Sequence, residues 1–250
     1  VYGSIAFATD MTMGLSVVDV SNPGLPVLKG SYKLTDIYDV TVVGQYAYVA
    51  DGTGGLKILD ISDPLLPTLR GVLDTPGTSY GIKVSGAHAF VADGAGGLLV
   101  AEIASVASPS LDGSYAAQYF SGMSVDIYGR YAVTAGYNVG LQVIDVSKPS
   151  SPAQVGDYDT SGSGNWVAVS GSRALLADGA NGLRIIDISN PQTGQTCPGS
   201  PACIGEYDTP DNAEHVTVSG NRAYVSDRIG GLWIIDVSTP TLGQPCPGSP

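Results

Sequence analysis

Few groups in this chain could do chemistry: two histidines, three cysteines and 23 carboxylates. His215 directly follows Glu214, and a carboxylate beside an imidazole is the material of general acid–base catalysis. His88 stands next to a glycine turn, where a solvated role is enough for it. Aspartates recur in Ala/Ser-Asp-Gly/Arg turns at Asp51, Asp93, Asp178 and Asp227, and in Asp-Thr turns at Asp74, Asp159 and Asp208. On one face, these carboxylates would attract a divalent cation by their summed field, and calcium is the ion that oxygen ligands suit. As turn residues they need no ion, because an Asp side chain bonds its own backbone. Cys197 and Cys203 flank Pro-Gly-Ser-Pro-Ala, whose Pro-Gly pair makes a tight turn, so a local disulfide is expected. Cys-x5-Cys without a nearby histidine is not zinc spacing. No His-Glu-x-x-His, Gly-x-Ser-x-Gly, Walker or Asp-x-Asp-x-Asp-Gly pattern occurs. The reading is a non-enzyme that requires no cofactor and could take calcium.

Composition narrows the partners. Charged residues are 14% and hydrophobic ones 43% of 250 residues, so the chain can bury a sizeable core. Eleven Lys+Arg against 23 Asp+Glu give a formal charge of -12, which argues against nucleic acid and against an anionic membrane surface. No apolar run approaches membrane-spanning length, and no basic segment precedes an apolar one at the start.

The elements that must position these groups are set by a repeat. AYVADGTGGLKILDISDP from Ala47 returns as AFVADGAGGLLVAEIAS from Ala89 and AVTAGYNVGLQVIDVSKP from Ala132. It returns again as ALLADGANGLRIIDISNP from Ala174 and AYVSDRIGGLWIIDVSTP from Ala223, and in looser form from Ile5. The leucine after glycine falls at Leu15, Leu56, Leu98, Leu141, Leu183 and Leu232, a period of about 42 with seven extra residues in the last interval. Each unit divides at its turn residues into four short runs rich in Val, Ile and Tyr. Four short antiparallel strands at this period predict an all-β chain: a β-propeller of six four-stranded blades, with units near 1–37, 38–79, 80–122, 123–164, 165–213 and 214–250 in a single domain. The glycine before each leucine is expected to take a positive φ or meet a close backbone. The third-strand aspartates Asp19, Asp60, Asp145, Asp187 and Asp236 precede Ile/Val-Ser-x-Pro and are expected to set that turn. Glu102 replaces the aspartate in the third unit, which also loses Ser-x-Pro and is the most degenerate.

GLQVIDVS, GLRIIDIS and GLWIIDVS resemble the LVIVD repeat of bacterial and archaeal surface proteins, a propeller-type family. AYVADG and the stretch from Ser21 to Gly30 are similar to the same family. The resemblance implies an extracellular or cell-surface protein and carries over no catalytic residue. A disulfide agrees with such an oxidising compartment.

Aligned on the repeat, Val1–Ser4 match Val169–Ser172 and the last ten residues match those from Thr193. The chain is therefore expected to be an excerpt, lacking the inner strand of blade one and the outer strand of blade six. A partner for Cys246 would lie beyond the end. Function is expected where the repeat departs from itself, because shared residues are committed to folding. The unit-specific residues at the expected channel mouth are Tyr38, Asp39, Tyr80, Met123, Asn165, Trp166, Glu214 and His215. Aromatics with mixed polar neighbours suit a glycan or small-molecule platform. The leading reading is a non-catalytic binding or structural scaffold for a protein, a glycan or copies of itself. The alternative is a propeller hydrolase or lyase using Glu214, His215 and Asp39, with or without calcium.

Overall fold

The computed structural model describes residues 3–10, 13–116, 122–197, 199–242 and 244–245. Among these there is no α-helix; a single 3-10 turn at Arg228–Gly230 interrupts an all-β chain. The chain forms two compact units, Val1–Ser114 and Tyr115–Pro250.

In the first unit, β1 (Ile5–Asp10), β2 (Gly14–Asp19) and β3 (Val27–Tyr32) make a three-stranded sheet. Next come β4 (Asp39–Val43), β5 (Tyr46–Ala50), β6 (Leu56–Asp60) and β7 (Thr68–Leu73), then β8 (Gly81–Ser85), β9 (His88–Ala92), β10 (Leu98–Glu102) and β11 (Ser110–Tyr115), two four-stranded meanders. In the second unit, β12 (Gly122–Tyr128), β13 (Tyr131–Gly136), β14 (Gly140–Asp145) and β15 (Ala153–Asp159) form the fourth sheet. The fifth has β16 (Trp166–Ser170), β17 (Arg173–Ala177), β18 (Leu183–Asp187), β19 (Gln195–Thr196) and β20 (Cys203–Asp208) in its stretch of chain. The sixth is β21 (His215–Ser219), β22 (Arg222–Ser226) and β23 (Leu232–Asp236), followed by β24 (Gln244–Pro245).

Six small antiparallel sheets, one per repeat, are the blades of a six-bladed β-propeller. Their strand number differs from the uniform four that the repeat predicts. The first and sixth sheets have three strands among the described residues, and the fourth and fifth have five. The insertion explains the fifth strands: β19 leaves its own repeat and runs parallel to β15 of the preceding one, and β24 does the same to β20. The ends of these two outer strands, Tyr158–Asp159 and Tyr207–Asp208, thereby gain backbone partners at what would be an open edge.

The core lies between successive sheets. Leu56 and Ile58 of β6 pack with Val91, Leu99 and Ala101 of the next sheet, all nearly inaccessible. Leu183 and Ile185 of β18 pack likewise with Ala223, Val225 and Ile235. A strand covered on both faces is apolar on both, as the third strands are.

Two glycine positions explain the spacing. The glycine before each leucine has φ between +65° and +84°, as at Gly55 and Gly97. The fourth-strand glycine is a close approach: a Cβ on Gly71 would overlap the Val106 carbonyl and lie 3.0 Å from Pro109 Cδ of the next repeat's turn. Immediately before that glycine the ladder slips. Ile58 faces Gly71 and Leu59 faces Leu69, so Arg70 is the extra residue of a bulge. Lys29, Val155 and Ile204 are bulged in the same way. A bulge re-aims its side chain, and here it lets Lys29 and Arg70 reach the third-strand Asp19 (3.2 Å) and Asp60 (2.9 Å).

Those aspartates set the turn as expected. Asp19, Asp60, Asp145, Asp187 and Asp236 each accept the backbone N–H of the serine two residues on, at 2.9–3.0 Å. These bonds, and the Ser62 hydroxyl at Asp60, hold Asp19 and Asp60 down to about 2.

Candidate functional site

The first strand of each sheet begins with the unit-specific residues, and the structure brings them together in pairs within each unit. In the first unit, the Tyr38 and Tyr80 rings meet edge-to-face at 4.8 Å. Burial, and then the nearby Asp36, raise the Tyr38 phenol above its ordinary value. Asp39 is used by the fold: its carboxylate accepts the Val40 N–H at 2.8 Å and the Ile82 N–H of the next sheet at 2.9 Å. Thr41 donates its hydroxyl to the Ile82 carbonyl. In the second unit, Ser124 accepts from Val167 N–H and Asp126 from Val169 N–H, both at 2.8 Å. Short polar side chains of one first strand thus satisfy the edge donors of the next. Sequence reasoning missed Thr41, Ser124 and Asp126 in this role; their alternation with apolar residues was the available signal.

The second unit holds the most open group. Trp166 and His215 stack at 4.2 Å with 30° between their planes. His215 is exposed, yet the protein crowded around its ring is enough to lower its pKa. Asn165 donates its side-chain amide to the Ala213 carbonyl at 3.0 Å. Glu214 is paired with Arg228, whose basicity it raises, with the exposed Tyr137 contributing more weakly. Met123 is half-buried at the start of β12. No acid–base partner contacts the His215 ring among the described residues.

The four turn aspartates are buried and separately engaged. Asp93 accepts the Gly77 N–H at 2.7 Å and the Ser79 hydroxyl at 2.8 Å. Asp227 accepts from Asp211 N–H and the Thr209 hydroxyl, and Asp51 from Asp36 N–H at 3.4 Å. Asp178 accepts the Thr160 hydroxyl at 2.6 Å and the Asn181 amide at 3.2 Å, and lies 3.5 Å from buried Arg184, which also pairs with Glu206. Burial pushes Asp178 up to about 6 and raises Asp51 as well. Each carboxylate pins the connection entering its own sheet to its own second turn. They are buried at their own turns and do not form a ligand set among the described residues.

Cys197 and Cys203 form a disulfide with Cα atoms 5.8 Å apart. Both cysteines are buried against Tyr158, Leu176 and Ile188, so they belong to the core of the second unit and not to an exposed loop. Cys246 lies outside the described residues.

One group that the sequence did not announce gathers on the third sheet. His88 of β9, Glu102 of β10 and Asp112 of β11 place one ligand atom each within 4.8 Å of one another. His88 Nε2 is 3.4 Å from Glu102 Oε2 and 3.3 Å from Asp112 Oδ2. The signal for it was the degeneracy of this unit.

Comparisons with known proteins agree with this architecture. No curated protein matches the chain. Among solved structures, the β-propeller domain of Cps50 (Swd1) from Myceliophteria thermophila superposes with a TM-score of 0.71 at 12% identity, covering 94% of this chain and 80% of that one. The computationally designed Ika8 protein gives 0.69 at 11% identity, covering 96% and 70%. BamB from Moraxella catarrhalis gives 0.64 at 15% identity, covering 96% and 72%. At these identities the likeness is one of fold. The model of the LVIVD repeat matches six times, over residues 1–34, 36–75, 76–117, 121–160, 161–209 and 210–242. With nearly its whole length matched repeat by repeat, the chain belongs to the LVIVD repeat family.

Proposed function

We propose that this protein is a non-catalytic binding scaffold of the cell surface or extracellular space, which holds a glycan or protein partner on the unit-specific residues of its first strands. The carrying observation is the Trp166–His215 stack: two flat rings at 4.2 Å with His215 exposed, flanked by Asn165 and the Glu214–Arg228 pair. An aromatic face ringed by hydrogen-bonding groups suits the apolar face of a sugar ring, or an aromatic or proline side chain of a protein. Two of the groups that hydrolysis or elimination would need are otherwise occupied. Asp39 holds backbone donors, and Glu214 is paired with a guanidinium. A disulfide supports the oxidising compartment. No helix among the described residues is long and apolar enough to cross a membrane.

The test is titration of the protein with a panel of oligosaccharides and with candidate surface proteins, read by tryptophan fluorescence, for the wild type and Trp166→Ala. Binding that Trp166→Ala weakens on the order of tenfold or more supports the reading, as loss of an aromatic anchor does. Turnover of any bound glycan that Glu214→Gln abolishes would establish the hydrolase or lyase alternative in its place.

A further inference from the structure

The third sheet departs from a rule that the other five keep. Wherever the third strand carries its aspartate, a lysine or arginine stands near it. Asp19 has Lys29, Asp60 has Arg70 and Asp145 has Arg130 at 3.4 Å. Asp187 lies opposite Arg173 in the ladder, and Asp236 opposite Arg222. In the third sheet the carboxylate is Glu102, the ladder partner is His88, and the residue aligned with Lys29 and Arg70 is Asp112. The position that supplies the cation in the first two sheets here supplies a second carboxylate. No Lys or Arg among the described residues pairs with any of the three. Glu102 still sets the turn through Oε1, which accepts the Ala104 N–H at 2.8 Å, leaving Oε2 turned toward His88.

We propose that His88, Glu102 and Asp112 bind a divalent transition-metal ion of the zinc class. The geometry fits. Zinc holds imidazole nitrogen and carboxylate oxygen at about 2.0–2.2 Å, which sets neighbouring ligands of a tetrahedron about 3.4 Å apart. The nitrogen here lies 3.3 and 3.4 Å from the two oxygens, and the oxygens lie within 4.8 Å of each other, a gap that a side-chain rotation closes onto an ion. One imidazole and two carboxylates select such an ion over calcium, which takes six to eight oxygens and does not favour nitrogen. The ion restores the positive charge that Lys29 and Arg70 provide in their own sheets and ties β9, β10 and β11 together. The side chains keep 23%, 40% and 31% of their surface, so an ion can enter and water can complete its shell.

Two variants write the neighbouring repeats' residues into this sheet, so both preserve the fold: Asp112→Arg, as in Arg70, and His88→Tyr, as in Tyr46. Isothermal titration with zinc at neutral pH gives the affinity. Long-range proton–nitrogen spectra of the chain's two imidazoles locate the ion. The expected result is a site at which zinc shifts His88 Nε2 and leaves His215 unmoved. Both variants then weaken it on the order of a hundredfold or more, since losing a ligand costs at least what losing its outer-shell support does. If His88 Nε2 responds to pH but not to zinc, the trio is a protonated-histidine ion pair and the proposal falls. It falls equally if both variants bind zinc as tightly as the wild type.

Discussion

Asp178 makes stability depend on pH in a window of its own. Its carboxylate is inaccessible, and burial outweighs the help from Thr160, Asn181 and Arg184, so the folded chain holds its proton up to about 6 against 3.8 unfolded. The folded state then binds more protons than the unfolded one between those values. This group's contribution is fully present below pH 3.8 and is lost as pH rises through about 6. A rise of that size corresponds to about 3 kcal/mol, an upper value because water and neighbouring dipoles relax around the ionised form. The aspartates held low, Asp19 and Asp60, act with the opposite sign and below pH 4, where their stability is lost as pH falls toward about 2. The two windows therefore separate. Urea unfolding at a series of pH values, followed by fluorescence, isolates the effect. Trp166 and Trp233 are the chain's only tryptophans, and both lie in the unit that holds Asp178. Between pH 4 and 6.5 the wild type should lose up to about 2 kcal/mol relative to Asp178→Asn, whatever offset the amide causes. Parallel curves for the two proteins across that range would show that burial does not govern this carboxylate.

Two further perturbations follow from packing. Gly71→Ala forces a methyl group onto the Val106 carbonyl and the Pro109 ring, neither of which can swing away, and should cost about 3 kcal/mol in a chemical melt. Gly44→Ala meets no atom within 4 Å and should cost only about 1 kcal/mol for its positive φ, so equal costs would refute the close-approach reading. Reducing the Cys197–Cys203 bond, which closes a six-residue separation, should lower the second unit's stability by about 2 kcal/mol while its β circular-dichroism signal persists. Loss of that signal under mild reductant would mean that the bond holds the unit's core together.

The features legible in the sequence are those fixed by neighbours along the chain. The Asp-x-Ser turn, the positive-φ glycine before leucine and the bridge from Cys197 to Cys203 each depend on at most a few residues, and the repeat declares them again and again. The six sheets follow because an alternating apolar strand must be covered on both faces. What stayed hidden depends on contacts between distant residues. The bulge that turns Arg70 onto Asp60 leaves no mark in a period of two, and neither does the approach of Asp112 to His88 from another strand. That β19 joins the preceding repeat, and that the bridge it carries is buried with Tyr158, are facts of the fold. The turn aspartates look like solvated acids in the sequence, and only the Thr and Ser hydroxyls arriving from the preceding connection reveal them as buried acceptors.

The division between shared residues that fold and singular residues that bind is tested most directly at Asp93. It accepts two hydrogen bonds in the interior, so Asp93→Ala strands the Gly77 N–H, leaves the Ser79 hydroxyl only its bond with Thr75, and should cost about 2 kcal/mol or more. The measurement is the melting of wild type and Asp93→Ala, both stripped of metal, with and without excess calcium. A large loss in the variant, with calcium moving neither protein, is the predicted result. A wild type that calcium stabilises, and a variant that no longer responds, would make this aspartate a ligand and contradict the division.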